Sequence, residues 1–171
     1  MLNIIKRIRR TGILSDVPPE SDQPEARVRG IHEHLHRVFG RALRIRHVDA
    51  GSCNGCELEI QALTNPYYNL EGAGIAFVAS PRHADILLVT GPVSVNMEEA
   101  LKRAYDVMPE PRWVIAVGDC GACGGIFGTS YATRGRVGDV VPVSATVPGC
   151  PPEPMALLQC LLHITSHPGQ P

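Results

Sequence analysis

The sequence predicts an α/β protein, a parallel sheet with helices on both faces. Three observations carry this. Short continuous apolar runs such as 85–90 (DILLVT) and 113–117 (WVIAV) read as strands covered on both sides. Helix-length segments lie between them, as in 96–108, where Met97, Ala100, Leu101 and Ala104 form an apolar stripe. The two kinds of segment alternate along the chain, which is the order of crossover units rather than of hairpins.

In chain order, residues 1–40 read as an arm and linker. Met1, Ile4, Ile5 and Ile8 fall on one face of a short helix whose other positions are basic, with no acid before Asp16. Such a segment suits an anionic membrane surface or a membrane subunit. Three prolines in 15–24 make an extended linker. Residues 27–39 predict a polar surface helix. His32, His34 and His36 alternate along it, so they do not share one face and make no three-histidine metal site.

The regular order begins at Ala42. Residues 42–48 predict a strand, 57–63 a helix stopped near Asn65-Pro66, 75–79 a short strand and 85–90 a buried one. Gly91-Pro92 turns the chain into the 96–108 helix. Residues 113–117 and 140–143 are expected strands, and 152–165 is the closing helix, with prolines near its start as a first turn permits.

The chain's 171 residues match one domain of roughly 100–200 residues. At 44% hydrophobic it can bury a core. A formal net charge of -1 argues against general nucleic-acid binding. Apolar runs fall short of the ~18–20 residues of a membrane span. Charge breaks the start of the chain before any secretory signal's apolar stretch. Six cysteines in a chain without export read as thiols or metal ligands rather than as a disulfide framework.

The cysteines then become informative. Cys53 and Cys56 (DAGSCNGCE) follow the first strand, Cys120 (GDCGACGG) follows 113–117, and Cys150 (VPGCPP) follows 140–143. All are expected in loops after strands, and in a doubly wound sheet such loops gather at one edge. Four thiolates there suit a 4Fe-4S cluster or a zinc ion. The zinc alternative pairs Cys53-x-x-Cys56 with Cys120-x-x-Cys123. Ribbon-type pairs lie roughly 15–20 residues apart, far closer than these, and the pairing leaves Cys150 idle in its proline-fixed loop. A thioredoxin-like dithiol at Cys53 and Cys56 is a further alternative, but it gives the later loops no role. The expected ligands are therefore Cys53, Cys56, Cys120 and Cys150. Gly124 and Gly125 permit close backbone approach and are expected to aim N–H groups at sulfide. Cys160, inside MALLQCLLHI, reads as a core thiol. Glu57 reads either as a cluster-tuning or proton-relaying carboxylate or as a helix-dipole acid. Asp49 and Asp119 read as solvated or capping acids.

Taken together, GSCNGCE, GDCGACGGIFGTSYA and VPGCPPEP resemble the small subunit of nickel-iron hydrogenases and the homologous B-type (20 kDa) subunit of respiratory complex I. The likeness is strongest to membrane-bound, energy-converting hydrogenases of the formate hydrogenlyase type. It covers roughly residues 42–162, and the basic start also looks like the arm of that group. The resemblance implies a flavodoxin-like fold over 41–167 holding one proximal 4Fe-4S cluster on the same four cysteines, with Cys123 at a variable position. Complex I subunits have adjacent cysteines in the first motif, so Cys53-x-x-Cys56 favours the hydrogenase side. The remaining cysteines are too few for a second cluster, which places the next carrier on another protein. The resemblance further implies an oxidoreductase subunit not catalytic alone. Its expected partners are a hydrogenase- or complex I-like large subunit, a ferredoxin-like iron-sulfur subunit and a membrane subunit or surface met through Met1 to Arg10. Quinone is the electron acceptor in the complex I alternative, and a structural adaptor without a cluster is a third. The expected location is the cytoplasmic face of the inner membrane.

Overall fold

The computed structural model describes residues 40–166, together with residues 5, 6, 9, 10, 30, 32, 33 and 37. Its strands are β1 (Leu43–Asp49), β2 (Ile75–Phe77), β3 (Ile86–Thr90), β4 (Val93–Ser94), β5 (Trp113–Val117), β6 (Thr133–Gly135) and β7 (Ala145–Val147). The α-helices within 40–166 are α1 (Gly55–Ala62), α2 (Val95–Asp106), α3 (Gly118–Cys123) and α4 (Pro154–Ser166). Five strands form one parallel sheet in the order β2-β1-β3-β5-β7, while β4 and β6 pair antiparallel beside it. Counting the main-sheet strands alone, the order is 2-1-3-4-5. That is the flavodoxin-like order, with its switch between β1 and β3.

Strict alternation builds the two layers. Ile86 and Leu88 of β3, with Trp113, Ile115 and Val117 of β5, enter the core made with Ile60 of α1 and with Leu157, Leu161 and Ile164 of α4. Leu87, Val89, Val114 and Ala116 point the other way, into the core that holds Leu101 of α2. Every residue of β3 and β5 is buried, so these strands carry no polar face, as the unbroken apolar runs require.

Several elements differ from expectation. Residues 140–143 are not a strand; the edge strand is Ala145–Val147. Val141, with Val137, is buried instead in the α2-side core, and a 3₁₀ turn at Val137–Asp139 precedes it. Cys120 does not lie in a loop, because residues 118–123 form α3. The β4–β6 pair is an addition to the predicted elements. Cys160 is partly buried rather than fully so; it packs against the α4-side core, where burial pushes its thiol up to about 11.

The arm falls largely outside the described residues, including Met1, Ile4, Ile8 and the linker. Ile5, Lys6, Arg9 and Arg10 are helical and exposed. Of the helix expected over 27–39, positions 30, 32, 33 and 37 are helical, and His34 and His36 lie outside the described residues. Among the described residues no helix is long and apolar enough to cross a membrane.

Candidate iron-sulfur site

The carboxyl ends of β1, β5 and β7 deliver the cysteines to one rim. Cys53 sits in the β1–α1 turn, Cys56 is the second residue of α1, Cys120 the third of α3, and Cys150 follows β7. Cys56 and Cys120 thus start short helices rather than lying in loops. Cys56 is buried, while Cys53 and Cys150 are exposed. Burial, the largest cause, pushes the Cys56 thiol up to about 11, and Glu57, Cys53, Cys120 and Cys150 add to it. Cys120 is raised for the same first reason, with Cys150 and Cys53 next. Cys53 and Cys150 thus act on both Cys56 and Cys120, with Asp119 and Cys123 adding smaller contributions at Cys120. Cys123 is outside the set felt by Cys56. It is exposed, and its thiol donates to the Asp119 carbonyl at 3.2 Å.

The donor set is all thiol, which suits iron-sulfur or zinc. Among the described residues no three His, Cys, Asp or Glu side chains stand close enough to grip a single ion. Two of the sulfurs lie against glycines, where any side chain would crowd them. A Cβ on Gly118, at φ 78°, would stand 2.7 Å from Cys56 Sγ, and one on Gly125, at φ 55°, 2.8 Å from Cys120 Sγ. Gly55 is different: a Cβ there would meet Cys53 Sγ at 3.6 Å, an ordinary contact. The amides of Gly124 and Gly125 are not free to meet sulfide. They donate to the carbonyls of Cys120 at 2.9 Å and Asp119 at 3.1 Å, closing α3. The glycines there give clearance rather than hydrogen bonds.

Asp119 joins the second and third cysteine segments. Its carboxylate accepts from Gly149 N at 2.8 Å, and its own N–H donates to Gly149 O at 2.9 Å. Asp49 plays the matching part in the first segment, accepting from Gly51 N and Ser52 N at 2.8 Å each. Both acids brace loops.

Glu57 is 8% exposed, so it is no solvated dipole acid. Ser52 Oγ donates to it at 2.7 Å, and the fully buried Thr90 of β3 donates to its other oxygen. His47 Nε2 lies 3.0 Å from Thr90 Oγ1 and 3.7 Å from Glu57. Burial, the largest cause, holds His47 below its usual value against the pull of Glu57 and Asp49. The ring is therefore neutral near pH 7, and the 3.7 Å approach is not an ion pair there. The partnership of Glu57 with Thr90, 33 residues away, leaves no signal in the sequence.

The profile of the NADH ubiquinone oxidoreductase 20 kDa subunit family matches residues 53–164, from the first cysteine to the closing helix. The chain belongs to that family. Within the 20 kDa subunit family and its kin, a probable membrane-bound hydrogenase subunit of Pyrococcus furiosus is 47% identical over 124 residues, covering 72% of this chain and 74% of that protein. Formate hydrogenlyase subunit 7 of Escherichia coli is 47% identical over 72% of this chain and 49% of its own length. The B-type subunit of an NADH-quinone oxidoreductase of Desulfovibrio desulfuricans is 45% identical over 74% of this chain and 68% of its length. These relatives are oxidoreductase and hydrogenase subunits, as the three cysteine motifs imply. Among solved structures, a chain of the membrane-bound sulfane sulfur reductase, an archaeal respiratory membrane complex, superposes with TM-score 0.65 at 28% identity, covering 81% of this chain and 77% of that one. A chain of an NAD+-reducing NiFe hydrogenase gives TM-score 0.57 at 21% identity over 72% and 92%, a likeness of fold alone.

Proposed function

We propose that the chain is the electron-transfer subunit of a membrane-associated nickel-iron hydrogenase-type complex and holds one 4Fe-4S cluster on Cys53, Cys56, Cys120 and Cys150. The observation that carries this is the delivery of four thiols from three separate strand ends to one rim, with Gly118 and Gly125 held against two of their sulfurs. When bound, the cluster supplies one-electron transfer between a ferredoxin-like subunit and the active site of a large subunit. The protein's own residues supply the rest. Asp49 and Asp119 hold the cysteine segments in place, and Glu57 ties the first segment to β3 through Ser52 and Thr90. Thr90 and Val117, the last residues of β3 and β5, are fully buried at the same end of the sheet.

An apolar surface flanks the same rim. Ile126 is 93% exposed, Tyr131 99% and Phe127 55%, all in the segment after α3. Three large side chains left in water beside Cys120 fit a docking face for the large subunit. At the other end of the chain, Ile5 is 55% exposed among Lys6, Arg9 and Arg10, which fits peripheral attachment to the cytoplasmic face of the inner membrane, or to a membrane subunit.

Anaerobic iron, sulfide and zinc content, with EPR after reduction, tests the proposal. About four irons and four sulfides with a reduced-cluster signal are expected; stoichiometric zinc without sulfide overturns it. The NADH-quinone oxidoreductase relative supports a second reading, in which the electron passes to quinone at the large-subunit interface. The partner's sequence separates the two: paired C-x-x-C motifs mean nickel, and their lack favours quinone or another role.

A further inference from the structure

The opposite end of the sheet carries a second, unrelated chemistry. A cleft of about 500 Å³ opens at the amino ends of β1 and β3, lined by Arg41, Arg44, Arg82, His83 and Asp85 with apolar Val78 and Pro109. One cation is already matched. Arg41 grips Asp85 through two hydrogen bonds, at 2.5 and 3.1 Å. Asp85 also accepts from Arg44 N at 2.9 Å, and it is 5% exposed. The carboxylate is therefore fully used in fixing the wall.

Two guanidinium groups remain. Among the described residues no carboxylate pairs with Arg44 or with Arg82. Both side chains are exposed, yet both rest on ordered backbone. Arg44 alternates along β1 with the buried Leu43 and Ile45, which forces it out of the core and toward the cleft. Arg82 sits in the 3₁₀ turn Pro81–His83, whose first N–H groups are tied back to Ser80 through Arg82 N to Ser80 Oγ at 3.4 Å and His83 N to Ser80 O at 3.2 Å. The chain as a whole is nearly neutral at -1, so this clustering of arginines is local rather than a general basic character.

We infer that this cleft binds a phosphate group. Two unmatched forks facing one concavity exceed the single charge a carboxylate carries, and the charge of Asp85 is already matched by Arg41. A phosphate offers more oxygens and up to two charges, and it accepts parallel N–H pairs from more than one arginine. Arg41 retains N–H donors beyond the two given to Asp85, and His83 adds a ring nitrogen at the edge. The phosphate reaches the cleft either on an anionic phospholipid headgroup or as the free ion. The inference does not rest on the cluster, whose thiols occupy the other rim.

Hydrogen exchange on the assembled complex tests it, read at the backbone amides of residues 41–46 and 80–85. The wild-type complex in neutral detergent is compared with its R44A/R82A double variant. Neither arginine pairs with a carboxylate, so both substitutions leave the Arg41–Asp85 contact in place. The probes are short-chain phosphatidylglycerol, short-chain phosphatidylcholine and inorganic phosphate. Slowed exchange with phosphatidylglycerol alone identifies a headgroup site. Slowing with inorganic phosphate as well identifies a site for the ion. In either case the apparent affinity falls by roughly fivefold for each arginine removed. Unchanged exchange with both anionic probes, slowing by phosphatidylcholine as strong as by phosphatidylglycerol, or equal slowing in the double variant overturns the inference.

Discussion

The first cysteine segment and the other two are built by different means. Around Cys53 and Cys56 the backbone is held by side chains. Asp49, Ser52, Glu57 and Thr90 form a chain of hydrogen bonds from the turn to β3. Around Cys120 and Cys150 backbone shape does more of the work: Gly118 gives room to Cys56 Sγ and Gly125 to Cys120 Sγ, while the Asp119 carboxylate holds Gly149. The contrast teaches that Ser52 and Glu57 on one side can lose a side chain at a modest cost, whereas Gly118 and Gly125 on the other have no room to gain one.

The largest effect expected is on the proposed ligands themselves. Cys120→Ser should remove iron and sulfide from the purified complex, whereas Cys123→Ser, whose thiol only caps a carbonyl, should keep nearly full content; metal analysis of the two variants decides it. Next come the glycines. Gly118→Ala sets a methyl against Cys56 Sγ in a left-handed backbone, and the strain of about 1–3 kcal/mol should lower thermal stability and cut iron incorporation several-fold. Side-chain bracing should give smaller losses. Glu57→Ala leaves Ser52 and Thr90 without their acceptor, a cost of about 1–3 kcal/mol seen in denaturant midpoints, with iron content reduced rather than abolished. If Glu57→Ala stripped the site as fully as Cys120→Ser, the two halves would not differ as described.

The smallest effect is a pH dependence. His47 titrates below its ordinary value of 6.5 when folded, so the fold favours the neutral ring. Its contribution to stability is fully present above about 6.5 and is lost as pH falls through the lowered value. Melting temperatures recorded downward from pH 7.5 should therefore decline more steeply for the wild type than for His47→Gln.

Much of this is legible because β1, β3 and β5 announce themselves. Their burial on one or both faces demands apolar residues at every second position or at all of them, and 85–90 and 113–117 supply that. The edge strand β7 is not legible. Only Ala145, Thr146 and Val147 pair, with Val147 alone buried, whereas the valines of 137–143 are used in part as pegs in the other core. Helix α3 (GDCGAC) is hidden for a related reason. Glycine and cysteine are weak helix formers, and the turn exists because it packs against β5 and is closed by the Gly124 and Gly125 amides. At the site, the placement of the cysteines after three strands points to the proposed ligand set. The place of Glu57 does not follow from spacing, since its partners come from β3 and from a turn whose direction only the tertiary structure fixes.

The clasp between Asp119 and Gly149 has a consequence for assembly. It joins positions 30 residues apart through protein bonds alone. Closing a loop of that length is an entropic burden that grows with the logarithm of its size. Here protein bonds bear it, so the proposed cluster would meet two turns whose separation the chain itself sets.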